Sequence, residues 1–185
     1  MEFFDVVDEY GKPTGEVVSR DIAHKEGIRH RTSHVWIVRK SSKGYDILLQ
    51  KRCLNKDSFP GMYDTSSAGH IKAGDEPVDS AIRELEEELG IKADASRLLY
   101  IGMFHGEYAK EFHGGLFRDN EMANVFVYRD AVNIDELTLQ SDEVEEVRWF
   151  DIEEVWDEIQ HCRDRFCVPI GGLNILRSYL NDFTE

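Results

Sequence analysis

The sequence predicts one mixed α and β domain, with helices packed on a mixed sheet. Strand-like runs outnumber helical ones, helical periodicity is confined to residues 77–89, 152–159 and 173–183, and no repeat, low-complexity stretch or linker separates them. The chain has 185 residues, 41% of them hydrophobic, with ten Phe, seven Tyr and three Trp, which is enough for a single real core.

The elements follow in order. Residues 3–7 and 16–19 are short apolar-rich runs on either side of Gly11-Lys12-Pro13-Thr14-Gly15, which is hairpin punctuation, so two antiparallel strands open the chain. Residues 34–39 and 45–50 are strand-like and split by Ser41-Ser42-Lys43-Gly44; 98–104, 123–128 and 144–150 follow in the same pattern. The best-marked helix has Pro77 in its first turn and Gly90 just past its end. Between them Val78, Ala81, Ile82, Leu85 and Leu89 form one apolar stripe that anchors the helix to the sheet.

The formal net charge of −15 sets long polyanions such as duplex nucleic acid against repulsion, so no nucleic-acid polymer is expected as a partner. Small anions that arrive with their own metal ions are compatible with it. Met1 to Tyr10 is acidic and lacks a basic region followed by an apolar run, and no stretch approaches 18 apolar residues, so a cytoplasmic protein without membrane attachment is expected. Cys53, Cys162 and Cys167 are an odd, sparse set that argues against a disulfide framework and fits a reducing compartment. Cys162-x4-Cys167 beside His161 is too isolated a pattern to read as a zinc site.

Chemistry concentrates in residues 69–91. Glu84, Glu87 and Glu88 stand at i, i+3 and i+4, which gathers three carboxylates on one helix face. Like charges so spaced repel by roughly 0.2–0.5 kcal/mol per pair, and a hard divalent cation such as Mg2+ or Mn2+ is the natural compensation. A solvated acidic face is the bland alternative. Against it stands the loop running straight into the helix, with Gly69 and Gly74 allowing close backbone approach, and Arg83 placed to orient a carboxylate.

This segment resembles the Nudix box, Gly-x5-Glu-x7-Arg-Glu-U-x-Glu-Glu-x-Gly-U, where U is a bulky aliphatic residue. Gly69, Arg83, Glu84, Leu85, Glu87, Glu88, Gly90 and Ile91 match, and Asp75 replaces the first Glu. The resemblance implies an α/β/α sandwich with a loop-helix-loop motif, and it makes Arg83, Glu84, Glu87 and Glu88 the catalytic helix, with a loop carbonyl at Ala68 or Gly69 completing the metal sphere. On this reading residues 29–165 form the Nudix domain, 1–28 an N-terminal hairpin and connecting segment, and 166–185 a C-terminal helix. The implied reaction is metal-dependent hydrolysis of a diphosphate bond in a small molecule, a nucleoside diphosphate linked to another moiety or a related organic diphosphate. A homodimer is compatible with the sequence.

A second resemblance, from about Ala23 to Trp149, is to the branch containing type 1 isopentenyl-diphosphate isomerase. It runs through residues 48–63, with their Pro60-Gly61 turn, and through Asp119-Asn120-Glu121. It implies diphosphate binding by Arg52 and Lys56, a role suited to an Arg fork and a Lys point charge. His24, His30 and His70 roughly match its metal-binding histidines, with the first two one residue closer together; taken singly, each reads better as a core or surface residue. The isomerase needs a cysteine immediately before Gly-His, where this chain has Ala68, and a methyl group transfers no proton. That departure, with the retained box acids, favours hydrolysis over isomerisation and over a non-catalytic ligand-sensing role. Glu121 is a candidate general base or accessory ligand, against a plain edge-strand acid. Trp149 reads as core, and Glu143 and Glu145 as surface acids.

Overall fold

The structure, a computed structural model, describes residues 1–182. Strands β1 (Phe3–Val7) and β2 (Pro13–Ser19) form a separate antiparallel pair, followed by α1 (Arg20–Glu26), β3 (His30–Ser41), β4 (Gly44–Arg52), β5 (Tyr63–Asp64), β6 (Ser67–His70) and α2 (Pro77–Leu89). Then come β7 (Leu98–Phe112), β8 (Gly115–Tyr128), β9 (Val144–Asp151), α3 (Ile152–His161) and α4 (Ile170–Asp182). The order in the main sheet is β5-β4-β3-β8-β7, with β6 also on β3 and β9 on β4; β3 and β8 run parallel and the other pairs antiparallel.

Side-chain alternation along the central strands sorts the core into two layers. Val35, Ile37, Leu48, Phe126 and Tyr128 face one way and pack on Ala81, Leu85 and Leu89 of α2. Trp36, Ile47, Leu49, Val125 and Val127 face the other way and pack on Val155, Ile159, Leu173, Leu176 and Leu180 of α3 and α4. The result is the expected α/β/α sandwich. Trp149 packs at the edge of the α2 layer, with the Arg39 guanidinium 4.3 Å from its ring centroid.

Strand β3 forks. Its first part, Thr32 to Val35, pairs with β6, and its last part, Val38 to Ser41, pairs with β4. Ser66 bridges the gap: its hydroxyl accepts from the Ile37 N–H (2.8 Å) and donates to the Leu48 carbonyl (2.5 Å), satisfying backbone groups the ladder leaves open.

Several elements exceed or escape the sequence expectation. The runs at 98–104 and 123–128 extend until they meet in a long hairpin turning at His113 and Gly114, both with positive φ (50° and 78°). The added stretch is half-exposed on both strands, so its polar residues hid it. Helix α1 buries only Ala23 and His24, too little for a visible period, and β5 and β6 span two and four residues. Helix α4 begins three residues before the expected start at 173, and the expected end at Phe183 lies outside the described residues. Among the described residues no helix is long and apolar enough to cross a membrane.

Leu85 is fully buried at the centre of the α2 layer. Leu85→Ala is expected to cost about 3 kcal/mol by transfer loss plus cavity formation, measured by denaturant unfolding of the metal-free protein. A loss under about 1 kcal/mol would mean α2 is not anchored through this stripe.

Candidate active site

Helix α2 starts and stops where Pro77 and Gly90 place it, Gly90 adopting left-handed φ 72°. Opposite the apolar stripe, the acids face a cleft of about 570 Å³. Glu88 is buried there, and one oxygen, Oε2, accepts three hydrogen bonds: from Gln50 Nε2 (3.1 Å), Ser67 Oγ (2.6 Å) and the Ala68 N–H (3.2 Å). Burial and the neighbouring Glu84 charge push its pKa up to about 7. Glu84 is also raised, chiefly by burial, and accepts from Arg83 Nη1 at 2.5 Å. Glu87 is half-exposed, 3.4 Å from the same nitrogen. Arg83 Nη2 donates to the His70 carbonyl (3.0 Å), tying α2 to the end of β6. Gly69 lies so close to Glu84 that a Cβ there would collide with its carboxylate, the physical reason for glycine at the start of the box.

The loop before α2 is held from the N-terminal hairpin rather than by the Asp75 side chain. Asp5 Oδ2 accepts from the Gly74 N–H and from Arg31 Nη2, both at 3.0 Å, and the same Arg31 nitrogen donates to the Asp75 carbonyl (3.2 Å). The Ala73 N–H donates to the Phe3 carbonyl (2.8 Å).

Across the cleft stands a second cluster. The ligand atoms of His24, His30 and His70 lie within 4.8 Å of one another, as do those of His30, Asp119 and Glu121. His30 Nδ1 donates to the Ile28 carbonyl (2.9 Å), which leaves Nε2 as the acceptor turned to the cluster. That Nε2 and Asp119 Oδ1 are buried with no hydrogen-bond partner, 3.8 Å apart, and Oδ1 is also 3.8 Å from His24 Nε2. Buried polar atoms left unpaired in the interior are costly, and the 3.8 Å gap suits a cation with ligand bonds of about 2.0–2.2 Å. Burial holds His24 down at about 4 and His70 well below its ordinary value, so both are neutral, as metal ligands must be. Asp119 is pushed up to about 9 by burial and by the charge of Glu121. Burial works against ionised Glu121, but the His34 imidazole, 3.7 Å away, draws this acid below the usual carboxylate range. Thr32 Oγ1 donates to Glu121 at 3.2 Å.

Arg52 and Lys56 both line the cleft, already engaged. Arg52 donates from Nε to the Ser58 carbonyl (2.9 Å), from Nη2 to Ser58 Oγ (3.2 Å) and from Nη1 to Asp64 (3.0 Å), and Lys56 pairs with Glu143. Glu143, expected as a surface acid, is thus a cleft residue, whereas Glu145 pairs with Lys51 away from the cleft lining. The structure brings Glu84, Glu87, Glu88, Arg83, Glu121, Arg52 and Lys56 to one cavity. Sequence reasoning did not reach His34 or Thr32, placed Asp119 only in a motif of the isomerase resemblance, and matched the three histidines to that branch's metal-binding ones while favouring core or surface roles for each; their assembly requires strand pairing across the chain. The cysteines are unpaired and form no metal cluster among the described residues.

Comparison with known proteins agrees with this geometry. The NUDIX domain family model matches residues 29–166. An uncharacterized Nudix hydrolase of Clostridium acetobutylicum is 41% identical over 143 residues, which span 77% of this chain and 66% of that protein's length. An isopentenyl-diphosphate Delta-isomerase of Dinoroseobacter shibae is 28% identical over 97% of this chain and 90% of its own. The solved structure of DR0079 from Deinococcus radiodurans, 17% identical, superposes with a TM-score of 0.70 over 96% of this chain and 99% of that one, a likeness of fold. The chain belongs to the Nudix family.

Because Glu88 has a folded pKa near 7 against an ordinary 4.5, its protonated form favours the folded state. That stabilisation is fully present below about 4.5 and is lost as pH rises through 7. In EDTA, the melting temperature of the parent is therefore expected to fall relative to Glu88→Gln between these limits. Parallel pH profiles would show that Glu88 does not carry this strain.

Proposed function

We propose that this protein hydrolyses the diphosphate bond of a small organic diphosphate, such as a nucleoside diphosphate linked to another moiety, with Mg2+ or Mn2+. The observation that carries the reading is the convergence on one cleft of two ligand sets, the carboxylates of α2 and the histidine-acid cluster, which reaches the cleft through His70, Asp119 and Glu121. Both donor sets fit divalent ions: oxygen donors on α2 suit Mg2+, and mixed imidazole and carboxylate donors suit Mn2+. Glu84 and Glu88 would be the main ligands on α2, with Glu87 and a carbonyl of Ala68 or Gly69 completing that sphere. His24, His30, His70, Asp119 and Glu121 would hold the other ion. Such ions, when bound, neutralise the diphosphate and lower the pKa of the attacking water.

The chain's own residues bind and orient. Lys56 and Arg52 face the phosphate oxygens, and the bonds of Arg52 to Ser58 also fix the loop that carries Lys56. Arg83 holds Glu84 in register with β6. Glu121 serves as a ligand in this reading, its oxygen lying within 4.8 Å of the ligand atoms of His30 and Asp119. The water's oxygen would form the new bond to phosphorus while the bridging P–O bond breaks, the departing oxygen leaving on the other product and the water's protons passing to product phosphate oxygens and to solvent. The unpaired cysteines fit a cytoplasmic setting.

Likeness to an isomerase favours a second reading, isopentenyl-diphosphate isomerisation. Ala68 opposes it: its side chain offers the cleft a methyl group where that chemistry needs a proton donor.

A panel of nucleoside-linked and other organic diphosphates, incubated with Mg2+ or Mn2+, tests the reading by product identity. Hydrolysis of at least one compound is expected, with no interconversion of isopentenyl and dimethylallyl diphosphate above a blank. Isomerisation without hydrolysis would reverse the assignment. On the active compound, Glu88→Gln should lower turnover and metal affinity by about 100-fold. Glu86→Gln should match the parent, because Glu86 points away from the cluster and lies 3.9 Å from Lys92. Equal behaviour of the two variants would refute the ligand role of Glu88.

A further inference from the structure

Phe4 is fully buried on β1, yet its closest ring neighbours are histidines. Its ring centroid lies 4.9 Å from that of His30 and 4.6 Å from that of His70, with interplanar angles of 19° and 10°. The His30 and His70 centroids are 5.2 Å apart, so the three flat rings form a near-equilateral group of nearly parallel planes. His24 meets all three edge-on, at 6.1, 5.1 and 5.0 Å.

We propose that Phe4 is a positioning residue for the imidazole ligands, its ring fixing the planes of His30 and His70 so that their Nε2 atoms converge with that of His24. The proposal rests on the reading of these histidines as metal ligands. A hydrogen bond fixes one atom of an imidazole but lets the ring swing about it, whereas packing against a flat face restrains the ring torsion. His30 has both restraints, the bond to Ile28 and the Phe4 face. Among the described residues, the one hydrogen-bond-range ring contact of His70 is to His24 Nε2 at 3.2 Å, itself a member of the ligand set. Once a cation takes those two nitrogens, the Phe4 face still sets the plane of His70.

The backbone holds Phe4 firmly enough for this task. Phe4 pairs with Val18 across β1 and β2, and β1 is pinned on its flanks by the Arg20 N–H to the Glu2 carbonyl (3.0 Å), the Val7 N–H to the Arg29 carbonyl (3.1 Å) and the Ala73 N–H to the Phe3 carbonyl (2.8 Å). Its remaining apolar neighbours, Val18 and Ala23 with Val6 and Ile28 at the margin, are aliphatic and offer no flat face. The N-terminal hairpin would thus be part of the metal centre's construction, although the family match begins only at residue 29.

Titration of the full chain with Co2+, followed by visible absorption, tests the proposal. The histidine-dependent component is the part of the spectrum lost in His30→Ala. Phe4→Leu is expected to weaken that component about tenfold and to move its bands, because the ligand field changes when the rings reorient. Val18→Ala removes packing from the same small cluster without touching a histidine, so it should lower the melting temperature while leaving Co2+ affinity and bands as in the parent. If Phe4→Leu does not fold, Phe4→Met, an unbranched filler, is read by the same criteria. A parent-like Co2+ spectrum and affinity in a folded Phe4 variant would overturn the positioning role while leaving the ligand assignment standing. Absence of any His30-dependent component in the parent would overturn both.

Discussion

The buried carboxylate of Glu88 is the constraint around which the rest is arranged. It comes from α2, but the donors that hold it come from β4 through Gln50 and from β6 through Ser67 and Ala68, so one charged oxygen ties the helix to both arms of the β3 fork. Three donors gather on Oε2, and Oε1, without a hydrogen bond among the described residues, is left for the cleft that Glu88 lines. Ser66, one residue earlier, closes the fork above it. Gly69, one residue beyond Ala68, makes room for Glu84. Four successive residues of β6 and its lead-in are thus each committed to the acids or to the fork.

Electrostatics in the cleft follows the same economy of placement. Four of its five Lys and Arg side chains already face carboxylates: Arg20 faces Glu2 and Asp57, Arg52 faces Asp64, Lys56 faces Glu143 and Arg83 faces Glu84 and Glu87, while Lys72 has no ion-pair partner among the described residues. These pairs keep long side chains extended and ordered in a protein of net charge −15. On the proposed reading, with most of these cations already engaged, bound metal would supply much of the positive charge that a diphosphate requires.

Legibility in the sequence tracked locality. Helix α2 was readable to the residue because Pro77, Gly90 and the 3.6-residue stripe are all contained within it, and the three acids fell on one face by the same arithmetic. Strands of the core were readable from alternation, but α1, β5 and β6 were not, being too short to show a period. The histidine-acid cluster is the opposite case. His24, His70 and Asp119 sit on α1, β6 and β8, and apart from the family resemblance nothing local distinguishes them from incidental residues. Glu143 was misread as surface for a related reason: its partner Lys56 lies 87 positions away. Asp75 weakened the box on paper, yet the loop takes its order from Asp5 and Arg31, residues the motif does not contain.

The parallel pairing of β3 with β8 sets His30 directly opposite Glu121 and places Thr32 in hydrogen-bond reach of the same acid, 89 positions along the chain. Joining segments so far apart carries a loop-closure cost that must be met before the pairing contributes anything, which slows folding relative to a fold built from neighbours. It also orders assembly: His24, His30 and His70 are all made before Asp119 and Glu121, so the joint histidine-acid cluster is complete only once β8 has joined β3. On the proposed reading, the final character of the centre would therefore be set by topology, at the moment the middle of the sheet closes.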